Sequence, residues 1–219
     1  MPSLRYEVVH RFDAARHAMI ESELKHRGIR DRSLLHAMAA VPRELFVPRH
    51  LAIDAYADVA LELEHAHGQM ISPPYVVALM IQALCVQRRD RVLEIGTGSG
   101  YTAAVLSEMA QHVCTVESLS ELAMAAEARL AACGYRAIDV MLGDGRGGWA
   151  ARAPFDCILV SGSVPEIPRA LVAQLAPGGR LVMPLTRDGE PRLVRVMRAA
   201  SGLVMRELEA VRVAALTTN

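Results

Sequence analysis

Residues 91–109 read RVLEIGTGSGYTAAVLSEM, and the fold turns on how they divide. RVLEI is a five-residue, largely apolar run of the kind that forms a parallel strand buried on both faces. GTGSG follows at once, and the helix-forming stretch YTAAVLSEM closes the unit. A strand, a glycine turn and a helix in direct succession make the first half of a βαβ crossover. The alternation continues with strand HVCTVE, helix LSELAMAAEARLAACG, strand AIDVML, the turn GDG and strand FDCILVS. A helix around PRALVAQL, the turn PGG and strand RLVMPL complete it. This repetition predicts an α/β fold, a doubly wound, Rossmann-like and mostly parallel sheet with helices on both faces. The stretch RLVRVMRAASGLVMRELEAVRVAAL reads as two further strands turning at Ser201-Gly202, an antiparallel edge.

Upstream the period changes. Ala15, Met19, Ile20 and Leu24 recur at helical spacing, and Gly28 stops that helix. Asp31 is placed to cap a second helix with Leu34, Leu35 and Met38 on its inner face, ended by Pro42. PRELFVPRHLAIDAYADVALELEHA holds no sustained period and reads as irregular with short helical pieces. Pro73 and Pro74 suit the first turn of a helix striped by Val76, Val77, Met80 and Leu84. One domain is expected over the 219 residues, with 1–70 as an N-terminal helical cap and 71–219 as the α/β core.

Composition narrows the function. Apolar residues make up 52% and aromatics only 4%, so the core is built from Ala, Val, Leu, Ile and Met. Twenty-four basic residues balance 24 acidic ones, which gives no electrostatic footprint for nucleic acid or an anionic membrane. MPSLRYEVVHRFDAARHAM does not read as a secretory signal, and the longest apolar run, Tyr75 to Ile81, is far below the ~20 residues of a membrane span. Cys85, Cys114, Cys133 and Cys157 form no C-x-x-C pair, so they read as small core residues of a cytoplasmic protein rather than zinc or disulfide partners. His65 and His67 form H-x-H, which without a third ligand reads as solvated loop, and no metal is expected. The scattered methionines (Met19, Met38, Met80, Met109, Met124) read as core filler, and RRDR at 88–91 as a solvated turn.

Doubly wound sheets bind ligands at the carboxyl ends of their strands. Gly96, Gly98 and Gly100 alternate there as G-x-G-x-G, with Thr97 and Ser99 between them, where a dinucleotide fold asks for G-x-G-x-x-G. Glu94 precedes the loop, and Glu117 ends the next strand 19 positions after Gly98, where an acid can take both hydroxyls of a ribose. A carboxylate beside the loop repels a diphosphate but suits a cationic sulfonium with an α-amino group, and no lysine follows as in an ATP-binding loop. S-adenosyl-L-methionine fits best, its own carboxylate meeting loop N–H groups and the N-terminus of helix 101–110. Asp144, between Gly143 and Gly145, could take the adenine amino group, or make an ordinary D-G turn. Trp149 could close over the adenine edge or seal the end of the sheet.

With VLEIGTGSGY, HVCTVES, the GDG turn, ARAPFDCILVS and PEIPRALVAQLAPGGRLVMP in order, the chain resembles the protein-L-isoaspartate O-methyltransferases. GIRDRSLLHAMAAVPRELFVP and HGQMISPPYVVALM resemble that family too, so the likeness runs from about Leu24 to Val211. It implies an S-adenosylmethionine-dependent enzyme that methylates the α-carboxylate of isoaspartyl residues in damaged proteins and so begins their repair. It also implies that Ser72, in the family's G-x-T-I-S-x-P segment, is the active-site residue, with Met70 and Ile71 beside the acceptor. From residue preference alone, Ser72 reads as the N-cap of the helix that follows, and the two roles are compatible. No strong base is required, because a carboxylate with a reference pKa near 4 is already ionised.

Departures from the family pattern fall on the acceptor side. Met70 stands where the family has threonine, LELEHA lacks its proline-isoleucine-glycine lead-in, and VRVAALTTN replaces a phenylalanine-valine-proline-leucine ending. Pro73 replaces a glutamine common in bacterial members. Two alternatives therefore stand beside the isoaspartyl enzyme: a methyltransferase of the same build with another acceptor, and a non-catalytic S-adenosylmethionine-binding protein.

Overall fold

The computed structural model describes residues 12–64 and 68–216. Helix α1 (Asp13–Ala18) runs into a π-helical turn (Met19–Lys25) that Gly28 ends at φ +95°. In α2 (Arg32–Ala40) the Asp31 side chain accepts from Ser33 N and Leu34 N, the cap expected from the sequence. Two 3-10 turns follow (Arg43–Leu45 and Arg49–Asp54). The cap is not purely helical: β1 (Leu61–Glu62) pairs antiparallel with β2 (Met70–Ile71), a ribbon too short to leave an alternating pattern. Helix α3 (Pro74–Leu84) then leads into the main sheet.

That sheet holds β3 (Arg91–Ile95), β4 (His112–Glu117), β5 (Ile138–Leu142), β6 (Phe155–Val160), β7 (Leu175–Arg187), β8 (Glu190–Ala199) and β9 (Gly202–Ala210). Their order is β5-β4-β3-β6-β7-β8-β9, with β3 to β7 mutually parallel and β8 and β9 antiparallel, as the sequence predicts. From β3 the chain winds outward through α4 (Tyr101–Met109) and α5 (Ser120–Cys133), then returns to lay β6 on the other side of β3. The crevice between β3 and β6 is the point where strand order reverses.

The two faces are covered unequally. One carries α3, α4 and the cap in a continuous core with Leu24, Leu34, Phe46 and Leu84. The other is closed by the five-residue α6 (Arg169–Ala173), two 3-10 turns and Trp149. Trp149 therefore seals the sheet, packed in that second core with Arg152 over its ring. PGG, read as a turn, lies inside β7 as a bulge opposite β6, where Phe155 pairs with Leu175 but Cys157 with Arg180. Met19, Met38, Met80 and Met109 are buried as expected, but Met124 is exposed on the outer face of α5. Cys114 and Cys157 are core residues, while Cys85 is exposed and Cys133 partly so.

Candidate active site

The ends of β3, β4 and β6 open into a cavity of about 280 Å3 whose wall includes Gly96, Gly98, Glu117 and Ser161. Gly96, Gly98 and Gly100 take φ of +90°, +52° and +87°, which explains why glycine recurs at every second position. Glu117 lines this cavity and ties the loop down. Its Oε2 accepts from Gly98 N at 2.8 Å, and its Oε1 from Ser118 N at 2.9 Å and Leu119 N at 3.1 Å.

Glu94 sits beneath the loop and is not among the lining residues, so the charge beside the donor that the sequence suggested is not carried by this geometry. Thr97 Oγ1 and Thr115 Oγ1 are 2.7 Å apart, and Thr115 Oγ1 donates to Glu94 Oε2 at 2.7 Å, a buried chain from loop to strand. Burial pushes the Glu94 carboxyl up to about 8, against the pull of Thr115. Its Oε1 and Ser161 Oγ, both buried, face each other, and no third group among the described residues bonds either.

Gly143 and Asp144 line a separate shallow recess with Ser118, Leu119 and Ser120. Asp144 caps a 3-10 turn by accepting from Arg146 N, and the Arg146 side chain pairs with its carboxylate and holds it below the usual range. The D-G turn is thus formed. Gly145 lines the main cavity, and a Cβ there would stand 2.2 Å from Ile95 Cγ2, so this glycine serves packing.

Opposite the loop, β2 and the residue after it bring Met70, Ile71 and Ser72 to the same cavity. Ile71 is buried against Leu61 across the ribbon, while Met70 lies at the rim, 41% exposed. Ser72 is not the helix cap: α3 has Pro73 at its N-cap position and no side-chain cap bond. Its backbone carbonyl accepts from Arg43 Nη2 at 2.7 Å. The hydroxyl is left uncommitted among the described residues.

A third wall is the C-terminal strap, Arg212 to Leu216, whose last three residues beyond it lie outside the described ones. Ser163 N donates to Ala214 O, and Leu216 N to Ser163 O, both at 2.9 Å. A Cβ on Gly162 would lie 2.7 Å from Leu216 Cα, so only glycine lets the strap pass this close. Gly162, Ser161 and Arg212 are site residues that the sequence reading missed; S-G-S after a buried strand was the available signal.

The cavity suits an adenosyl sulfonium better than a diphosphate. Beside the loop its charged lining residue is the acid Glu117, its apolar lining includes Ile95, Val116 and Leu122, and the one basic lining residue among those described, Arg212, comes from the strap. Elsewhere, His112, Cys114 and Asp139 bring ligand-type atoms within 4.8 Å of one another, but Arg152 already neutralises Asp139 at 3.0 Å. His65 and His67 lie outside the described residues.

Residues 14–219 match the protein family described as protein-L-isoaspartate(D-aspartate) O-methyltransferase (PCMT). The chain is 45% identical to protein-L-isoaspartate O-methyltransferase 2 of Geotalea uraniireducens over 195 residues, 89% of each chain. It is 51% identical to the protein-L-isoaspartate O-methyltransferase of Methylorubrum populi over 85% of this chain and 86% of that one. A solved protein-L-isoaspartate O-methyltransferase superposes with a TM-score of 0.82 at 26% identity, covering 93% of this chain and 66% of that longer one. A second, from Plasmodium falciparum and in complex with S-adenosyl-L-homocysteine, gives 0.80 at 23% identity over 92% and 98%. By sequence over nearly its whole length, and by a fold that agrees, the chain belongs to the protein-L-isoaspartate O-methyltransferase family.

Proposed function

We infer that this protein transfers a methyl group from S-adenosyl-L-methionine to the α-carboxylate of L-isoaspartyl residues in proteins, which starts their repair through a succinimide. The observation that carries the reading is the uncommitted Ser72 hydroxyl, which shares one cavity with the glycine loop and Glu117. When bound, the donor supplies a methyl group on a positively charged sulfur. Glu117 and the loop would hold its ribose and methionyl parts.

The remaining work falls to positioning. The acceptor carboxylate is ionised at neutral pH, so no residue has to remove a proton. Ser72 donates a hydrogen bond that aims one carboxylate oxygen, and the strap and β1–β2 ribbon exclude water. The absence of a His-based dyad along the described cavity wall therefore fits a carboxylate acceptor.

The test is transfer of labelled methyl to an isoaspartyl peptide and to its ordinary aspartyl counterpart. Base-labile ester is expected on the first alone, with Ser72→Ala lowering kcat/KM by about 10- to 100-fold. A second reading, another acceptor on the same scaffold, is favoured by Met70 at the rim. Rescue of weak activity by Met70→Thr would show that the acceptor groove has drifted, while equal silence of wild type, Ser72→Ala and Met70→Thr would favour this second reading.

A further inference from the structure

Arg43 is the largest side chain with no solvent exposure among the described residues, and it joins three separate segments around the site. Nε donates to Ala55 O of the cap at 2.7 Å, Nη2 donates to Ser72 O at 2.7 Å, and the guanidinium lies 4.7 Å from the centre of the Tyr101 ring. Tyr101 is the first residue of α4, directly after Gly100 of the loop. Its own backbone is fixed as well: Arg43 N donates to Tyr56 OH, which also accepts from Arg16 and donates to Glu44. Nη1 and Tyr101 OH, both buried, make no hydrogen bond of good geometry among the described residues but face each other, and the Tyr101 hydroxyl favours the guanidinium charge.

Burying a guanidinium is costly even with a tyrosine hydroxyl beside it, and burial pulls its pKa below the usual value. A core needing only volume there would be better served by leucine or methionine. What an aliphatic residue cannot do is hold two carbonyls from distant segments while stacking on an aromatic face. No other described side chain bonds the Ser72 carbonyl, and Arg43 does not line the cavity.

We propose that Arg43 is a positioning residue: it fixes the Ser72 main chain against the first turn of α4, setting the distance between acceptor and methyl donor without touching either. This rests on Ser72 facing the acceptor, as inferred above. Lysine cannot span both carbonyls, so Arg43→Lys releases Ser72 while keeping the charge, and Arg43→Gln removes the charge too. An ångström of misplacement at reacting atoms costs on the order of 100-fold.

The test measures three quantities on the full chain: kcat and KM for an isoaspartyl peptide, the Kd of S-adenosylhomocysteine, and hydrogen exchange by segment. Arg43→Lys is expected to lower kcat/KM by about 10- to 100-fold with the Kd within about twofold of wild type. Amide protection should fall selectively at residues 69–72 and remain in β3 and β4. The exchange result does not depend on which acceptor the enzyme uses, so it stands apart from a failure of the isoaspartyl reading. Unchanged kinetics and exchange would overturn the proposal. So would a parallel loss of donor binding and activity, or global unfolding of both variants, each of which marks the cation as purely structural.

Discussion

The wall of the cavity that carries the glycine loop is made from the ends of paired parallel strands, whereas the wall that carries Ser72 is a two-residue strand, a proline pair and a strap laid over Gly162. The loop wall is fixed by bonds within a short span of chain: Glu117 reaches Gly98, Ser118 and Leu119. The Ser72 wall is fixed across the molecule, by Arg43 from the cap and by Ser163 against the C-terminal strap. The first kind of wall holds one ligand chemistry and tolerates little change. Residues at the rim of the second, such as Met70 and Arg212, can vary without moving the first.

The largest effect is expected at the acid that both ties down the loop and lines the cavity. Each hydrogen bond to a charged group contributes about 1.5–3 kcal/mol, and Glu117 accepts three. Glu117→Gln should weaken S-adenosylhomocysteine by at least about 100-fold in calorimetry, roughly 2.7 kcal/mol. An unchanged Kd would show that the loop stands without its acid, and the contrast between the walls would fail.

A smaller, opposite signature is expected from Gly162→Ala. The added Cβ would meet Leu216 backbone at 2.7–2.8 Å, so the strap has to shift. Peptide KM should rise by about tenfold while the Kd for S-adenosylhomocysteine stays within about twofold. A loss of donor binding of the same size would mean that the strap belongs to the donor wall.

The same division decides what the sequence could tell. Strand runs and alternating glycines are local, and RVLEIGTGSG states both in ten residues; the sheet, its antiparallel edge and the loop were therefore legible. The β1–β2 ribbon has two residues per strand, below any periodic signal. Ser72 looked like a cap because serine before a helix favours that role, but Pro73 occupies the position and frees the hydroxyl. Gly162 meets the strap 54 residues on and Arg43 reaches Ser72 29 residues on, which no local pattern reveals. Glu94 was legible as an acid near the loop but not as a buried one, since its depth depends on the packing of Thr115 and Thr97 above it.

The least effect on activity, and the finest discrimination, is expected from Glu94→Gln. A carboxyl held up to about 8 in the folded protein, against about 4.3 when unfolded, keeps its proton through most of the neutral range. Its stabilisation is therefore complete below about pH 4 and is lost as pH rises towards 8, when the folded protein has to bury a charge. Glutamine cannot ionise, and it keeps an oxygen for Thr115 Oγ1 to donate to. The Tm of the variant relative to wild type should therefore climb from about pH 5 to pH 8 and level off above that, while donor affinity at pH 6 stays within about twofold. Parallel Tm curves would mean that Glu94 is ionised in the fold. A tenfold loss of donor affinity at pH 6 would mean that its charge meets the donor directly, and the loop wall would then owe its selectivity to two acids rather than to Glu117 with a neutral brace beneath it.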